Sequence, residues 1–210
     1  MFKEALKDSD FLTRSTAARL LGAFGDRSGI EVLRRDLALA PRNGEPDPNL
    51  MKLQGLELER AKSTSHAQLY NAIRAAEALS ELGDPSGLAL ATRLALESED
   101  ALFRMHAIPT LTNLVVHAAS DKALLAGQTI DPETVLVAVA ESETKSAVLT
   151  ILKSNAARLP REKGRRIYEK LIASPHMAEE DREMMKGYLR LYDREAKKQS
   201  KAQSTAPKKQ

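Results

Sequence analysis

The chain contains no cysteine. That excludes a disulfide framework, a Cys-ligated zinc site and thiol catalysis, and it fits a reducing compartment. Tryptophan is also absent, and aromatic residues make up only 4% of a chain that is 42% hydrophobic. A core must therefore be built mainly from Leu, Ala, Ile and Val, which suits packed helices. Alternating β-branched runs are missing, which argues against a sheet. Long apolar runs are missing too. The longest stretch free of Asp, Glu, Lys and Arg is Met105 to Ser120, which holds Pro109, Asn113 and two histidines. It is too short to cross a bilayer comfortably. The opening MFKEALKDSDFL carries acids and no apolar core, unlike a signal peptide. The expectation is a soluble, cytoplasmic protein with no integral membrane segment.

What is present starts with charge. The net charge of +3 hides an asymmetry. Residues 1–150 hold 16 Lys+Arg against 21 Asp+Glu, or −5, and residues 151–210 hold 16 against 8, or +8. Any attraction for an anionic partner is thus confined to the C-terminal part. A length of 210 residues admits one or two compact domains or a short solenoid.

The second positive feature is an internal repeat. Residues 14–30 read RSTAARLLGAFGDRSGI and residues 72–88 read AIRAAEALSELGDPSGL. With a shift of 58, Ala17-Ala18, Leu21, Gly25-Asp26 and Ser28-Gly29 fall on Ala75-Ala76, Leu79, Gly83-Asp84 and Ser86-Gly87. The pattern is a small-residue helix, a Gly-Asp corner and a second apolar helix. Gly25 and Gly83 are placed to turn left-handed and end a helix. Asp26 or Ser28 is placed to cap the next one, and in the second copy Gly83-Asp84-Pro85 ends one helix and starts another. A third, degraded copy follows, with Arg104, Ala107, Leu111 and Leu114 in the places of Arg14, Ala17, Leu21 and Phe24.

Along the chain, Phe11, Ala18, Leu21 and Phe24 give helical spacing, with Asp8 or Asp10 as the cap. Pro41 to Pro48 reads as a loop, because three prolines and a glycine cannot continue a helix. A helix is expected to resume at Asn49 and to fray in the polar run Lys62–Thr64–Ser65 before the second copy begins. Pro109 is expected to kink its helix unless it sits near a start. Asp131-Pro132-Glu133 reads as a helix start, and further helices are expected over 144–159, 161–173 and 178–197. Residues 199–210 lack large apolar side chains and read as a disordered, Lys-rich tail.

At Arg14, Ala17-Ala18, Leu20-Leu21-Gly22 and Gly25-Asp26, and again at Ala75-Ala76, Ala78-Leu79 and Gly83-Asp84-Pro85, the sequence resembles HEAT repeats. It is most similar to the short variety found in phycobilin lyases and related bacterial proteins. The resemblance implies an all-α, right-handed solenoid of stacked antiparallel hairpins over residues 1–198, with an irregular insertion at about 39–66. It also implies a non-enzymatic scaffold or adaptor that binds another protein. Enzymes of this repeat class, the bilin lyases and the DNA glycosylases, are weaker alternatives.

The residues add little chemistry. The histidines at 66, 106, 117 and 176 form no HExxH and none of the His-Glu pairs that hold iron in deoxyhypusine hydroxylases. No cofactor and no metal site is expected. Carboxylates at Glu97–Glu99–Asp100, Glu141–Glu143 and Glu179–Glu183 sit where helices start or turn, and capping explains them. No GxSxG, Walker or dinucleotide motif occurs. Gly22-Ala-Phe-Gly25 resembles the GXXG of a KH module but lacks flanking strands, so it reads as a helix end. The candidate contact residues for a protein or an anion are Lys153, Arg158, Arg161, Lys163, Arg165, Arg166 and Lys170, joined by the stripe Lys186, Arg190 and Arg194. Their bland reading is a solvated outer face. Their functional reading is a docking surface for an acidic protein, an anionic lipid or RNA, which makes a nucleic-acid or ribonucleoprotein adaptor the alternative function. Thin aromatic interleaving does not support sequence-specific readout.

Overall fold

The computed structural model describes residues 2–40 and 54–205. They form helices with no strand among them. A single turn, α1 (Phe2–Ala5), precedes α2 (Phe11–Ala23) and α3 (Ile30–Ala38). Then come α4 (Gly55–Glu81), α5 (Leu88–Glu97), α6 (Ala101–Ser120), α7 (Pro132–Ser142), α8 (Ser146–Ala156), α9 (Arg161–Ala173) and α10 (Glu179–Thr205). Every substantial helix–helix contact joins helices no more than two apart in sequence. α2 packs on α4, α4 on α6 and α6 on α8, while α5 packs on α7 and α7 on α9.

Local chemistry explains where the helices begin. The Asp10 carboxylate accepts the Thr13 amide at 2.8 Å and starts α2, while Asp8 takes the Asp10 amide instead. Asp100 does the same for α6 through the Leu102 amide, and Asp131 for α7 through Glu133 and Thr134. Pro132 fits the first position of α7, where no intrahelical N–H partner is lost. Pro109 lies in the interior of α6 rather than near its start, so the Met105 carbonyl goes without its usual amide donor.

The repeat is structural as well as textual. Gly25 and Gly83 both have positive φ, 78° and 68°, and each is followed by an aspartate that caps a 3₁₀ turn. The Ser-Gly pair has a different cause. At Gly29 a β-carbon would stand 2.5 Å from Ala18 Cβ, and at Gly87 one would stand 2.4 Å from Ala76 Cβ. In both copies the turn rests directly on the small-residue helix, so only hydrogen fits there. The third copy shares a different element. Arg14 grips the Asp36 carboxylate through Nε and Nη2 and donates Nη1 to the Asp8 and Ser9 carbonyls. Arg104 grips the Glu143 carboxylate with the same two groups and donates Nη1 to the Ser98 and Glu99 carbonyls. Each arginine ties the start of its own helix to the partner helix of its hairpin.

Two apolar clusters share α4. The smaller holds Phe11, Ala18, Leu21, Ile30 and Leu33 against Ala75, Ala78 and Leu79. The larger runs from Leu69 and Ile73 through Leu111, Leu136 and Leu149 to Ile167 and Tyr168. Each fully buried Leu or Ile contributes about 1.5–3 kcal/mol relative to exposure.

Three expectations are corrected. α4 does not fray at 62–65 but runs unbroken from Gly55 into the second copy, because polar residues without Gly or Pro do not stop a helix. Phe24, which the helical spacing groups with Phe11, Ala18 and Leu21, is not buried with them. It stands at the C-cap of α2, 78% exposed. α10 continues through Thr205, so residues 199–205 of the expected disordered tail are helical. Their Lys, Ala and Gln are good helix formers that extend an existing helix. The expected loop Pro41–Pro48 and the helix restart at Asn49 lie outside the described residues.

Candidate functional site

The basic residues of the C-terminal third sit on α8, α9 and α10, with Arg158 in the turn between α8 and α9, and most already have a partner. Lys153 Nζ lies 2.6 Å from Asp181 Oδ1, joining α8 to α10. Lys163 and Arg166 both hold Glu133, at 2.8 and 3.1 Å, and Lys170 holds Glu141 at 2.6 Å, so α9 is pinned to α7. Arg165 bridges Glu169 on its own helix and Asp193 on α10, at 2.9 and 2.6 Å. Arg161 lies over the Tyr192 ring, 5.1 Å from its centroid. Lys186 pairs with Glu183 at 2.6 Å. Arg190 and Arg194 are exposed and have no ion pair among the described residues. The hydrogen bonds that Arg165 donates to Asp193 and Glu169 hold its guanidinium above its ordinary range, and the bond that Lys170 donates to Glu141 raises it likewise. What looks like a basic docking patch in sequence is in large part the stitching between neighbouring helices. A shallow groove of about 290 Å³ between α7 and α9 is lined by Asp131, Glu133, Thr134, Val137, Arg166, Glu169 and Lys170. Of its cations, Arg166 is paired with Glu133 in the same wall and Lys170 with Glu141 at the end of α7.

Arg158 belongs to a second constellation, which the sequence did not disclose. Its Nη2 donates to Asn113 Oδ1 at 2.6 Å and its Nη1 to Asn155 Oδ1 at 3.2 Å. The Asn113 amide donates to Ser80 Oγ at 3.1 Å, and Ser80 donates to the Glu77 carbonyl. Arg74 donates to the Glu77 carboxylate at 2.9 Å, and Arg19 on α2 reaches Glu81 at 3.0 Å. A polar belt thus crosses α2, α4, α6 and α8. Burial pushes the Glu77 carboxyl up, against the pull of Arg74. The belt was illegible in sequence because its members are 33 and 45 residues apart, with no fixed period.

The corner aspartates also hold positions between units. Asp26 takes Lys3 at 2.9 Å and Asp84 takes Arg34 at 2.6 Å, while each accepts an amide from the serine two residues on. The Lys3 ammonium and Ser28 lower the Asp26 carboxyl to about 2. Burial works to raise Asp84, but Ser86 and Arg34 outweigh it and hold it below the usual carboxylate range.

Three of the four histidines contact neighbouring helices. His66 Nε2 lies 3.3 Å from Asp100 and its ring lies 4.7 Å from Phe103. His106 meets Tyr70 edge-on at 5.3 Å, and its pKa is lowered by burial and then by Arg74. His117 Nε2 lies 3.1 Å from the Glu81 carbonyl. Among the described residues no group of three or more His, Cys, Asp or Glu is placed to hold a metal ion, and no helix is long and apolar enough to cross a membrane. Glu143 is the carboxylate that sequence reading underrated. Besides Arg104 it takes the Thr144 and Lys145 amides at 2.9 and 2.7 Å. Compared with protein-family models and with curated proteins, the chain matches none.

Proposed function

We propose that the chain is a right-handed HEAT-like solenoid that serves as a non-enzymatic scaffold for another protein. The observation that carries this reading is the nearest-neighbour packing, in which no substantial contact joins helices more than two apart. Such a quasi-one-dimensional array exposes a long, continuous surface for its size. The repeated corner geometry at Gly25-Asp26 and Gly83-Asp84 supports the same reading. So does the economy of charge, since side chains that bridge helices keep the array rigid. Affinity capture with the chain as bait, read by mass spectrometry, tests the proposal. A reproducible protein partner is the expected result, and recovery of none overturns it.

A second reading, an adaptor for nucleic acid, draws on the exposed Arg190 and Arg194 and on Lys197 and Lys198 beyond them on α10. Few unpaired cations mean few counterions to release, so a weak, salt-sensitive affinity is all this surface offers. Binding of generic RNA that survives at low salt and falls with Arg190→Glu and Arg194→Glu supports that reading. No binding at low salt removes it.

A further inference from the structure

Large apolar side chains are exposed mainly at the two ends of the row of helices. Phe2, Leu12, Leu20 and Phe24 on α1 and α2, with Met184, Tyr188 and Leu191 on α10, make up seven of the ten among the described residues. Leu12, Thr16, Leu20 and Phe24 recur every four residues, so they form one stripe along α2. A groove of about 410 Å³ runs beside this stripe, lined by Phe2, Ala5, Leu12, Thr16, Ala17 and Leu20 among others. On α10, Met184, Gly187, Tyr188 and Leu191 also share a face.

The chain itself shows what covers the α2 stripe. Under the shift of 58, Ala17, Leu20 and Phe24 correspond to Ala75, Ala78 and Leu82 on α4. There the covering element is a helix. α2 lies over Ala75 and Ala78, which are fully buried, and its Gly22 sits so close to Leu82 that a β-carbon would overlap the Leu82 side chain. A bulky residue after the helix end thus inserts against a glycine of the covering helix. Among the described residues Phe24 has no such cover and is 78% exposed, and α1 is only one turn long. α10 offers a matching face. Its Gly187 has open space around it and is flanked by exposed Met184, Tyr188 and Leu191.

We propose that α10 of a second copy of this chain docks on the Leu12–Leu20–Phe24 face of α2, so that copies join head to tail with Phe24 against Gly187. The contact is heterologous. It therefore leaves one free α2 face and one free α10 face on every open assembly, which grows until it closes or runs out of copies. The inference rests on the reading of the hairpins as a stacked array, not on the capture of a foreign partner. Failure of either can be told apart, because one is read from self-association and the other from captured proteins.

Light scattering on a sizing column, or sedimentation, tests it over a wide range of concentration. The native chain is expected to show an average mass that rises with concentration past two copies. Phe24→Asp removes the acceptor face and Leu191→Asp the donor face. Both positions are more than half exposed, so the fold should be kept, and circular dichroism checks that it is. Each variant alone is expected to run as a single chain. Their equimolar mixture is expected to reach the mass of two chains and stop, because one intact α2 face and one intact α10 face remain. A native chain that stays monomeric at every concentration overturns the proposal. So does a Leu191→Asp variant that still pairs, which would mean that two α2 faces meet. A Phe24→Asp variant that still pairs overturns it as well, by pointing to two α10 faces.

Discussion

At the scale of single residues, two kinds of glycine hold the corners, and they answer to different tests. Gly25 has open space around its missing β-carbon but a φ of 78°. Gly25→Ala should therefore cost about 1 kcal/mol, from backbone strain alone. Gly87 is excluded from larger side chains by Ala76, 2.4 Å from where its β-carbon would be. Gly87→Ala should cost about 1–3 kcal/mol through overpacking. Urea unfolding of the two variants should rank them in that order. The first role was legible in sequence, since Gly followed by Asp after an apolar helix is a stop-and-restart signal. The second was not, because a glycine in a Gly-rich turn gives no sign of the helix that will press on it.

Asp84 gives a prediction in pH. Ser86 and Arg34 hold its folded pKa below the ordinary 3.8. Its contribution to stability is therefore complete above 3.8 and is lost as pH falls through the lower folded value. Unfolding measured from about pH 5 down to about pH 2 should show a steeper loss for the native chain than for Asp84→Asn. Equal slopes would mean that Ser86 and Arg34 together do not favour the charged carboxylate in solution.

At the scale of elements, α4 shows how a rule based on polarity misleads. Lys62, Ser63, Thr64, Ser65 and His66 look like a connection, yet the helix passes through them. Helix termination needs a backbone cause, such as Gly83 at positive φ, and not merely a lack of apolar residues. Ser65→Pro should therefore cost about 3 kcal/mol and lower the helical signal in circular dichroism. A negligible effect would restore a break at that point. The third copy makes the complementary point. Its glycines are gone, but Arg104 keeps the Arg14 arrangement, with Glu143 where Asp36 stands. Register was readable from the arginine and its apolar neighbours. The acidic partner was not, because it lies 22 residues on in one hairpin and 39 in the other.

At the scale of the whole molecule, stability should not be uniform. The first hairpin belongs to the smaller apolar cluster, while α4 to α9 share the larger one. With helix contacts confined to helices close in sequence, the first helices can open without the rest. Amide exchange should therefore be faster in α2 and α3 than in α6, as measured by mass spectrometry on proteolytic fragments. Uniform protection across the three helices would indicate one cooperative unit. The charge asymmetry acquires a different meaning at this scale. The +8 of residues 151–210 invites a search for an anionic partner. In space, acids from α7 and α10 meet Lys153, Lys163, Arg165, Arg166 and Lys170, Arg158 meets two asparagines, and Arg190 and Arg194 are left exposed on α10.

The sequence alone determined the all-helical class, the Gly-Asp corners, most helix starts and the correspondence of Arg104 with Arg14. These depend on neighbours a few residues apart, where caps, small residues and apolar spacing act directly on the backbone. Tertiary structure alone decided which cations are left free, which glycines are pressed by a neighbour, how Arg158, Asn113 and Ser80 come to share a belt, and that Phe24 faces solvent. Each of these depends on groups tens of residues apart that packing brings within hydrogen-bond or van der Waals reach, and no local pattern encodes that distance.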